Sequence, residues 1–269
     1  MGIVSLRGVP IPREHGAWAM LIVPLWVGIG TAGVVSGPVI VFVLTAFGFF
    51  LLRYPLMLAI KSRAPAARAN ALRWSATYVA FTLMWSAALV ILSPNWLLIP
   101  LGALGLVSLA VYLWNAARRA EMTTAGEWTG IAGLALGAPG AYLVSTGRLD
   151  TTAVTLYLLN LFYFGGTVFY VKFKVREQPR LVRVSDPWIA RLWAGRVTLG
   201  YHLLVLALVA SFAGLGILPA LAPIAFIPVA CKAIGGVVTS PSRPNLRRLG
   251  FIELGFTMLF ALVILIAYH

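Results

Sequence analysis

The sequence is short of charge: only 10% of its 269 residues are Asp, Glu, Lys or Arg, whereas 61% are hydrophobic. A soluble domain is about half apolar and about a quarter charged. The low charge and a mean hydropathy of +0.93 exclude a soluble globular protein and leave no room for a soluble second domain. We therefore predict a single transmembrane domain.

The residues that build metal and redox centres are also scarce. One cysteine, Cys231, excludes an internal disulfide and a multi-cysteine metal site. The seven acidic residues include no Asp-x-x-x-Asp pair, so a site in which paired carboxylates bind Mg²⁺ and a diphosphate lacks its ligands. Two internal histidines, His15 and His202, are weak grounds for an axial haem site. We predict no metal and no cofactor.

The long apolar runs predict an all-α membrane protein of about nine spans, each of about 20 residues. The predicted spans are 17–35, 38–60, 74–92, 96–114, 128–146, 152–171, 197–218, 219–238 and 249–268. In the fifth span, Gly126, Gly130, Gly133 and Gly137 have spacings that allow close helix packing. The segment 137–140 (Gly-Ala-Pro-Gly) predicts a kink there.

The net charge of +14 is distributed unevenly along the chain. Of the 21 Lys and Arg residues, Arg53 and Lys232 lie within spans, and Arg148 follows an odd-numbered span. All the others precede the first span or follow even-numbered spans, which places the N-terminus in the cytoplasm and the C-terminus outside. This pattern predicts contact with anionic lipid headgroups and not with nucleic acid.

The most basic connection, 172–196, follows the sixth span. On that span a polar stripe recurs at helical spacing and descends towards the same side, while Lys172 points away from it. The stripe consists of Asn160, Tyr163, Thr167, Tyr170 and Lys174.

Four ionisable residues, Arg53, His202, Lys232 and Glu253, fall inside predicted spans. Such groups cost a few kcal/mol in lipid and require a partner or a water-filled cavity. An inward-open anion pocket explains them. So do simpler roles: the two cations reach the headgroups along their aliphatic stems, Glu253 is a structural counter-ion, and His202 is a satisfied packing residue.

The segment Arg13–Leu21, with its HGAWAM string, resembles the opening motif of the YwiC-like family of bacterial integral membrane proteins. Further matches are Tyr54-Pro55, the segment 166–172, Arg176-Glu177, the segment 200–203 and the segment 249–253. The resemblance covers nearly the whole chain and implies a multi-pass protein of the bacterial inner membrane. It implies no particular reaction.

The nine-helix pattern also resembles the UbiA-type intramembrane prenyltransferases, which implies a UbiA-like arrangement. In those enzymes the loops after the second and sixth spans carry aspartate-rich motifs that bind Mg²⁺ and a prenyl diphosphate. Here the corresponding positions carry Lys61, Arg63, Lys172, Lys174 and Arg176, so the sign of the charge is reversed.

Three hypotheses follow. In the first, basic side chains bind or transport a phosphate- or carboxylate-bearing, lipid-like ligand without metal. In the second, the chain is a prenyltransferase-type enzyme that uses His15, Tyr170 or His202 as general base. In the third, it is an assembly partner of another membrane complex and docks through its fifth span. The candidate ligand-binding residues are His15, Arg53, Tyr54, Lys61, Tyr163, Tyr170, Lys172, Lys174, Arg176, His202 and Lys232, with Glu14 or Glu253 as counter-ion or proton relay.

Overall fold

The computed structural model describes residues 9–12, 15–239 and 245–269, and all regular structure in these residues is helical. They include a π-helical turn, Phe173–Glu177, and a 3₁₀ turn, Ala222–Ala225. In chain order the α-helices are α1 (His15–Ala32), α2 (Gly37–Lys61), α3 (Pro65–Leu92), α4 (Leu98–Ala117), α5 (Thr124–Ala135), α6 (Gly137–Thr146), α7 (Thr151–Lys172), α8 (Gln178–Leu181), α9 (Trp188–Ala194), α10 (Arg196–Gly214), α11 (Ile227–Val238) and α12 (Leu246–Tyr268).

In the part of the chain that the structure describes, six helices are long and apolar enough to cross a membrane: α2, α3, α4, α7 with its continuation, α10 and α12. The predicted class, a multi-pass helical membrane protein, is confirmed. The first, fifth and eighth predicted spans correspond to shorter elements: α1, the α5–α6 pair, and the 3₁₀ turn with α11.

Proline sets two helix boundaries. The third predicted span was too short, because α3 begins at Pro65, a residue pre-organised for the first helical position. The predicted kink in the fifth span is confirmed, since α5 ends at Ala135 and α6 begins at Gly137. Pro139 lacks an N–H group and its ring clashes with the carbonyl group four residues earlier, which is where the helix breaks.

The connections that follow α2, α4 and α7 meet the end of α11 at one end of the bundle, which we call the basic end. Lys61 at the end of α2 pairs with Glu121 in the connection after α4. Lys172 at the end of α7 pairs with Glu127 at 2.8 Å, and Arg191 donates to the carbonyl oxygen of Val238 at 2.9 Å. The basic connections, predicted to share one side of the membrane, therefore lie together.

The remaining turns and the C-terminus meet at the opposite, far end. Asn95 donates to the carbonyl oxygen of Gly147 at 3.0 Å, and Ser145 donates to that of Val34 at 3.3 Å. Tyr268 shares a 2.7 Å hydrogen bond with Thr155 near the start of α7. The helix α1 therefore begins at the basic end, and the chain finishes at the far end.

The glycines of the fifth predicted span pack mainly inside the molecule. Gly126 abuts Ala120 and Glu121, Gly133 abuts Ser108 of α4, and Gly137 lies against α1. Gly130 faces open space. At Gly133 and Gly137, α5 and α6 therefore approach α4 and α1 closely, as the small-residue spacing predicts.

Candidate functional site

The candidate site is built around an ion pair inside the bundle. The Lys232 ammonium group on α11 lies 2.7 Å from both carboxylate oxygens of Glu253 on α12. The two side chains are only 7% and 14% exposed. Glu253 is thus the counter-ion of Lys232 in the structure. Each side chain supplies the opposite charge that the other needs in an apolar medium.

Aromatic rings and a close helix contact fix the position of Lys232. Its ammonium nitrogen lies 4.5 Å from the ring centroid of Tyr170 and 4.8 Å from that of Phe256, both within cation–π range. Gly236, one turn further along α11, lets the Tyr170 ring approach the backbone, because a Cβ atom there would lie 2.6 Å from the ring. Tyr170 therefore closes one side of the ion pair.

His202 on α10 is buried beside this pair and within reach of the Lys232 charge. Its Nδ1 lies 2.8 Å from the carbonyl oxygen of Thr198. A carbonyl group only accepts, so Nδ1 carries the proton and Nε2 is the free nitrogen of the neutral ring. Nε2 faces Gly166 on α7.

Towards the far end, an aromatic cluster seals the bundle. Tyr163 donates to Thr257 at 3.3 Å, and Thr257 donates to the carbonyl oxygen of Glu253 at 2.7 Å. The Tyr163 ring stacks on Phe260 with centroids 4.0 Å apart, and Phe226 packs edge-on against both. All three rings are buried, so the polar site ends here and a dry layer begins.

Towards the basic end, a polar latch joins α7 to α11. Lys174 donates to the side-chain oxygen of Gln178 at 2.6 Å and to the carbonyl oxygen of Gly236 at 3.1 Å. Gln178, which is fully buried, donates to the carbonyl oxygens of Gly236 and Thr239. The sequence analysis missed Gln178, although it lies four residues after Lys174 and extends the stripe by one turn. These bonds satisfy carbonyl groups at the end of α11.

Two predicted ligand-binding residues lie outside this cluster, at the start of α5. Lys172 is paired with Glu127 and also donates to Thr124 at 3.2 Å. Arg176 donates to the carbonyl oxygen of Met122 at 3.5 Å. Lys172 does point away from the stripe, as its helical position predicted. The two residues fasten the basic end of α7 to α5.

The predicted residues of α2 form a third, separate group. The Arg53 guanidinium lies over the rings of Phe50 (4.9 Å) and Tyr112 (5.4 Å). Lys61 is paired with Glu121, and Tyr54 is half-buried. The structure therefore does not bring all the predicted cations into one pocket. Glu14 and the side chain of His15 lie outside the described residues.

The Lys61–Glu121 pair predicts a pH dependence. Burial alone would raise the pKa of Glu121, but the hydrogen bond and charge of Lys61 bring it below the ordinary carboxyl value. A lowered pKa in the folded state adds stability above the unfolded pKa, and this is lost as pH falls through the folded pKa. Because the pair is partly exposed, we expect the free energy of unfolding of the wild type to exceed that of Glu121→Gln by at most about 1 kcal/mol.

Thermal unfolding of both proteins as a function of pH tests this expectation. The difference in Tm should be constant above about pH 5 and should disappear on further acidification. A difference that grows as the pH falls would contradict the assignment. Glu177→Gln, at an exposed position near the same end, is the control.

The cluster is richer in hydrogen-bond donors than in groups that bind metals. In the described part of the chain, no three His, Cys, Asp or Glu side chains come together as a metal site would require. The central cluster, defined here as Tyr163, Tyr170, His202, Lys232 and Glu253, instead combines a carboxylate and a histidine, whose free Nε2 only accepts, with an ammonium group and two phenol groups as donors. Such donors bind phosphate or carboxylate oxygens directly.

Comparison with known proteins identifies the family. The model of the family described as "YwiC-like protein" matches residues 11–142. The chain is 30% identical over 226 residues to "Uncharacterized protein YwiC" of Bacillus subtilis (strain 168), covering 83% of this chain and 84% of the relative. It is 25% identical over 259 residues to an "Uncharacterized protein" of Haemophilus influenzae, covering 96% and 98%. No solved structure matches, so the UbiA-like arrangement gains no support. The resemblance seen in the HGAWAM segment is confirmed, and the chain belongs to the YwiC-like family.

Proposed function

We propose that this protein binds an anionic amphiphile and carries it within the membrane, with the phosphate or carboxylate head taking the place of Glu253 beside Lys232. The observation that carries the proposal is the buried Lys232–Glu253 pair. Glu253 occupies the position that the head would take, since two carboxylate oxygens and two phosphate oxygens accept the same hydrogen bonds. No metal ion is needed, because Lys232 supplies the positive charge.

The packing around the pair supports an openable site. The helix α12 packs mainly on α1 and on the 3₁₀ turn before α11, while α11 packs on α10 and α9. Lys232 and Glu253 thus reach across from two helices of one core that make few direct backbone approaches to each other. Separation of these two side chains opens a gap without breaking a continuous helix interface.

A proton on Glu253 is the natural trigger for this separation. It removes the negative charge that Lys232 requires, and an incoming anion restores it. Protonation and anion binding are then coupled, as in membrane carriers whose buried acids relay protons. The buried His202 imidazole, whose Nδ1 is bonded to the carbonyl oxygen of Thr198, is the base that we assign to that proton.

The surroundings favour access from the basic end and from the lipid. The aromatic cluster of Tyr163, Phe226 and Phe260 closes the far side of the ion pair. The flanking surfaces of α11 and α12 are exposed at Cys231 and Phe251, where a membrane protein meets acyl chains. An apolar tail can therefore stay in lipid while its head reaches Lys232.

The proposal includes nine crossings, with the basic end in the cytoplasm of the bacterial inner membrane. We count the first, fifth and eighth predicted spans as crossings as well, although they are short or interrupted. Their contribution makes the number of crossings odd, which suits termini at opposite ends. The excess of Lys and Arg at the basic end supports its cytoplasmic location.

Binding of a defined probe tests the function. We suggest farnesyl monophosphate added to the full chain in nanodiscs, with farnesol as the uncharged comparison and native mass spectrometry as the readout. The Lys232→Gln variant should no longer retain farnesyl monophosphate. Glu253→Gln, which removes the competing carboxylate, should tighten binding by about tenfold, or roughly 1.4 kcal/mol.

The gain expected from Glu253→Gln keeps the test decisive, because a protein that is merely damaged does not bind more tightly. Lys172→Gln, which removes a cation of the basic end outside the cluster, is the matched control and should bind like wild type. Unchanged retention in Lys232→Gln, or equal binding of farnesol, would rule out the proposed site.

A further inference from the structure

The connection between α7 and α10 carries an unusual concentration of exposed apolar residues. On the short helix α9, Trp188, Ile189 and Trp193 are 61%, 55% and 65% exposed. Leu181 and Val184, just before it, are also exposed. Large aromatic and aliphatic side chains grouped in this way mark an interaction surface.

The large apolar side chains of α9 share one face. At about 100° per residue, Trp188, Leu192, Ile189 and Trp193 fall within an arc of about 140°. Arg191 falls on the other side, where it donates to the carbonyl oxygens of Asp186, Val238 and Val184 at 3.0, 2.9 and 2.9 Å. The single arginine of the helix thus binds the protein, and the apolar face is left outward.

The position of α9 fixes its depth in the membrane. It ends at Ala194, and α10 begins two residues later at Arg196, so α9 lies where α10 leaves the bilayer. Gly195 packs against Val237, and Arg191 binds the end of α11. The start of α10 and the end of α11 therefore hold α9 at the basic end, and the directions of these two helices set the orientation of α9.

Charge surrounds this apolar face. Arg180, Arg183 and Arg196 are exposed on either side of it. The Arg196 guanidinium lies 5.5 Å from the Trp193 ring and donates to the carbonyl oxygen of Trp193 at 3.0 Å. Tryptophan beside arginine is the composition that lies at the boundary between acyl chains and anionic headgroups.

We infer that α9 is an interfacial anchor: it lies on the basic-end surface of the bilayer, with Trp188, Ile189 and Trp193 inserted at the headgroup level and the flanking arginines on anionic headgroups. The occupant of this face is the lipid surface. Because Arg191 ties α9 to the end of α11, the anchor also sets the height of the helix that carries Lys232. The inference does not depend on the proposed ligand.

A pair of labelled variants tests the anchor. In a Cys231→Ser background, Ile189→Cys and Ala190→Cys place a fluorophore on the apolar face and on the neighbouring exposed position that faces away from it. The full chain is reconstituted in vesicles of phosphatidylcholine with phosphatidylglycerol. Nitroxide-labelled lipid should quench the label at 189 several-fold more than the label at 190, and aqueous iodide should show the reverse preference.

The purified protein contains no partner, so protection at 189 can arise only from lipid or from the chain itself. Nitroxide lipid distinguishes these two sources. Equal access of iodide to both positions, or a label at 189 that neither quencher reaches, would overturn the inference. Trp188→Cys, on the same face, must behave like Ile189→Cys, which guards against a local disturbance at a single position. Vesicles without phosphatidylglycerol should reduce the difference between 189 and 190.

Discussion

Replacement of Lys232 by Met is expected to lower the free energy of unfolding by about 3–5 kcal/mol, because removal of one partner leaves a buried charge without compensation. Glu253 would then have to remain charged among Phe256, Tyr170 and the surrounding apolar helices, or take up a proton. Recovery of the lost stability by a second substitution is as informative as the loss itself. The double variant Lys232→Met/Glu253→Leu removes both charges and should recover most of the stability.

Thermal or dodecyl sulfate unfolding in mild detergent measures these differences. Lys172→Met is the matched control, because its pair with Glu127 has side chains that are 15% and 24% exposed and should contribute at most about 1 kcal/mol. A Lys232→Met protein as stable as wild type would show that the ammonium group escapes to water. A double variant less stable than the single one would show that Glu253 has another essential partner.

Helical periodicity predicted which polar residues of α7 share one face. The stripe from Asn160 to Lys174 is set by helix geometry alone, and its first four members are buried as a single face. The intramembrane positions of Lys232 and Glu253 likewise predicted a need for partners. Their pairing follows from equal depth: both lie about a turn and a half to two turns from the basic end of their helices.

The predicted basic pocket was less accurate, because charge balance depends on which connections meet in space. Glu121 and Glu127 follow α4 and are 60 and 45 residues away from Lys61 and Lys172, the lysines that they neutralise. No local pattern links Lys61 to Glu121. The predicted grouping counted cations along the chain, whereas the structure divides them between α2, the start of α5 and the central cluster.

Span boundaries show the same division between local and non-local information. The break in the fifth span was predictable from Gly137 and Pro139, whose effects are local. The early start of α3 was not, because its first two turns are exposed beyond the apolar run and hydropathy does not report them. The π-helical turn at Phe173–Glu177 has no signal in the periodicity, although it precedes the Gln178 latch.

The second large effect is expected at Gly28, where α1 and α6 approach each other most closely. A Cβ atom at this position would lie 3.0 Å from both the Cα and the carbonyl carbon of Ala138, and closer still to its carbonyl oxygen. These are backbone atoms of a buried residue, so no side chain can rotate away. A side chain at position 28 therefore forces α1 and α6 apart, and this also disrupts the core that joins α1 to α7 and α12.

Gly28→Ala should therefore cost about 1–3 kcal/mol, and Gly28→Leu should cost more and prevent recovery of a folded monodisperse protein. Gly102 on α4 is the control, since open space surrounds it. There the change to Ala should be neutral or stabilising by up to about 1 kcal/mol, through helix propensity alone. Detergent-solubilised yield and Tm measure both series. Equal tolerance of Leu at positions 28 and 102 would mean that α1 and α6 are not packed backbone to backbone, and that α1 does not hold α12 in register with the Lys232 site.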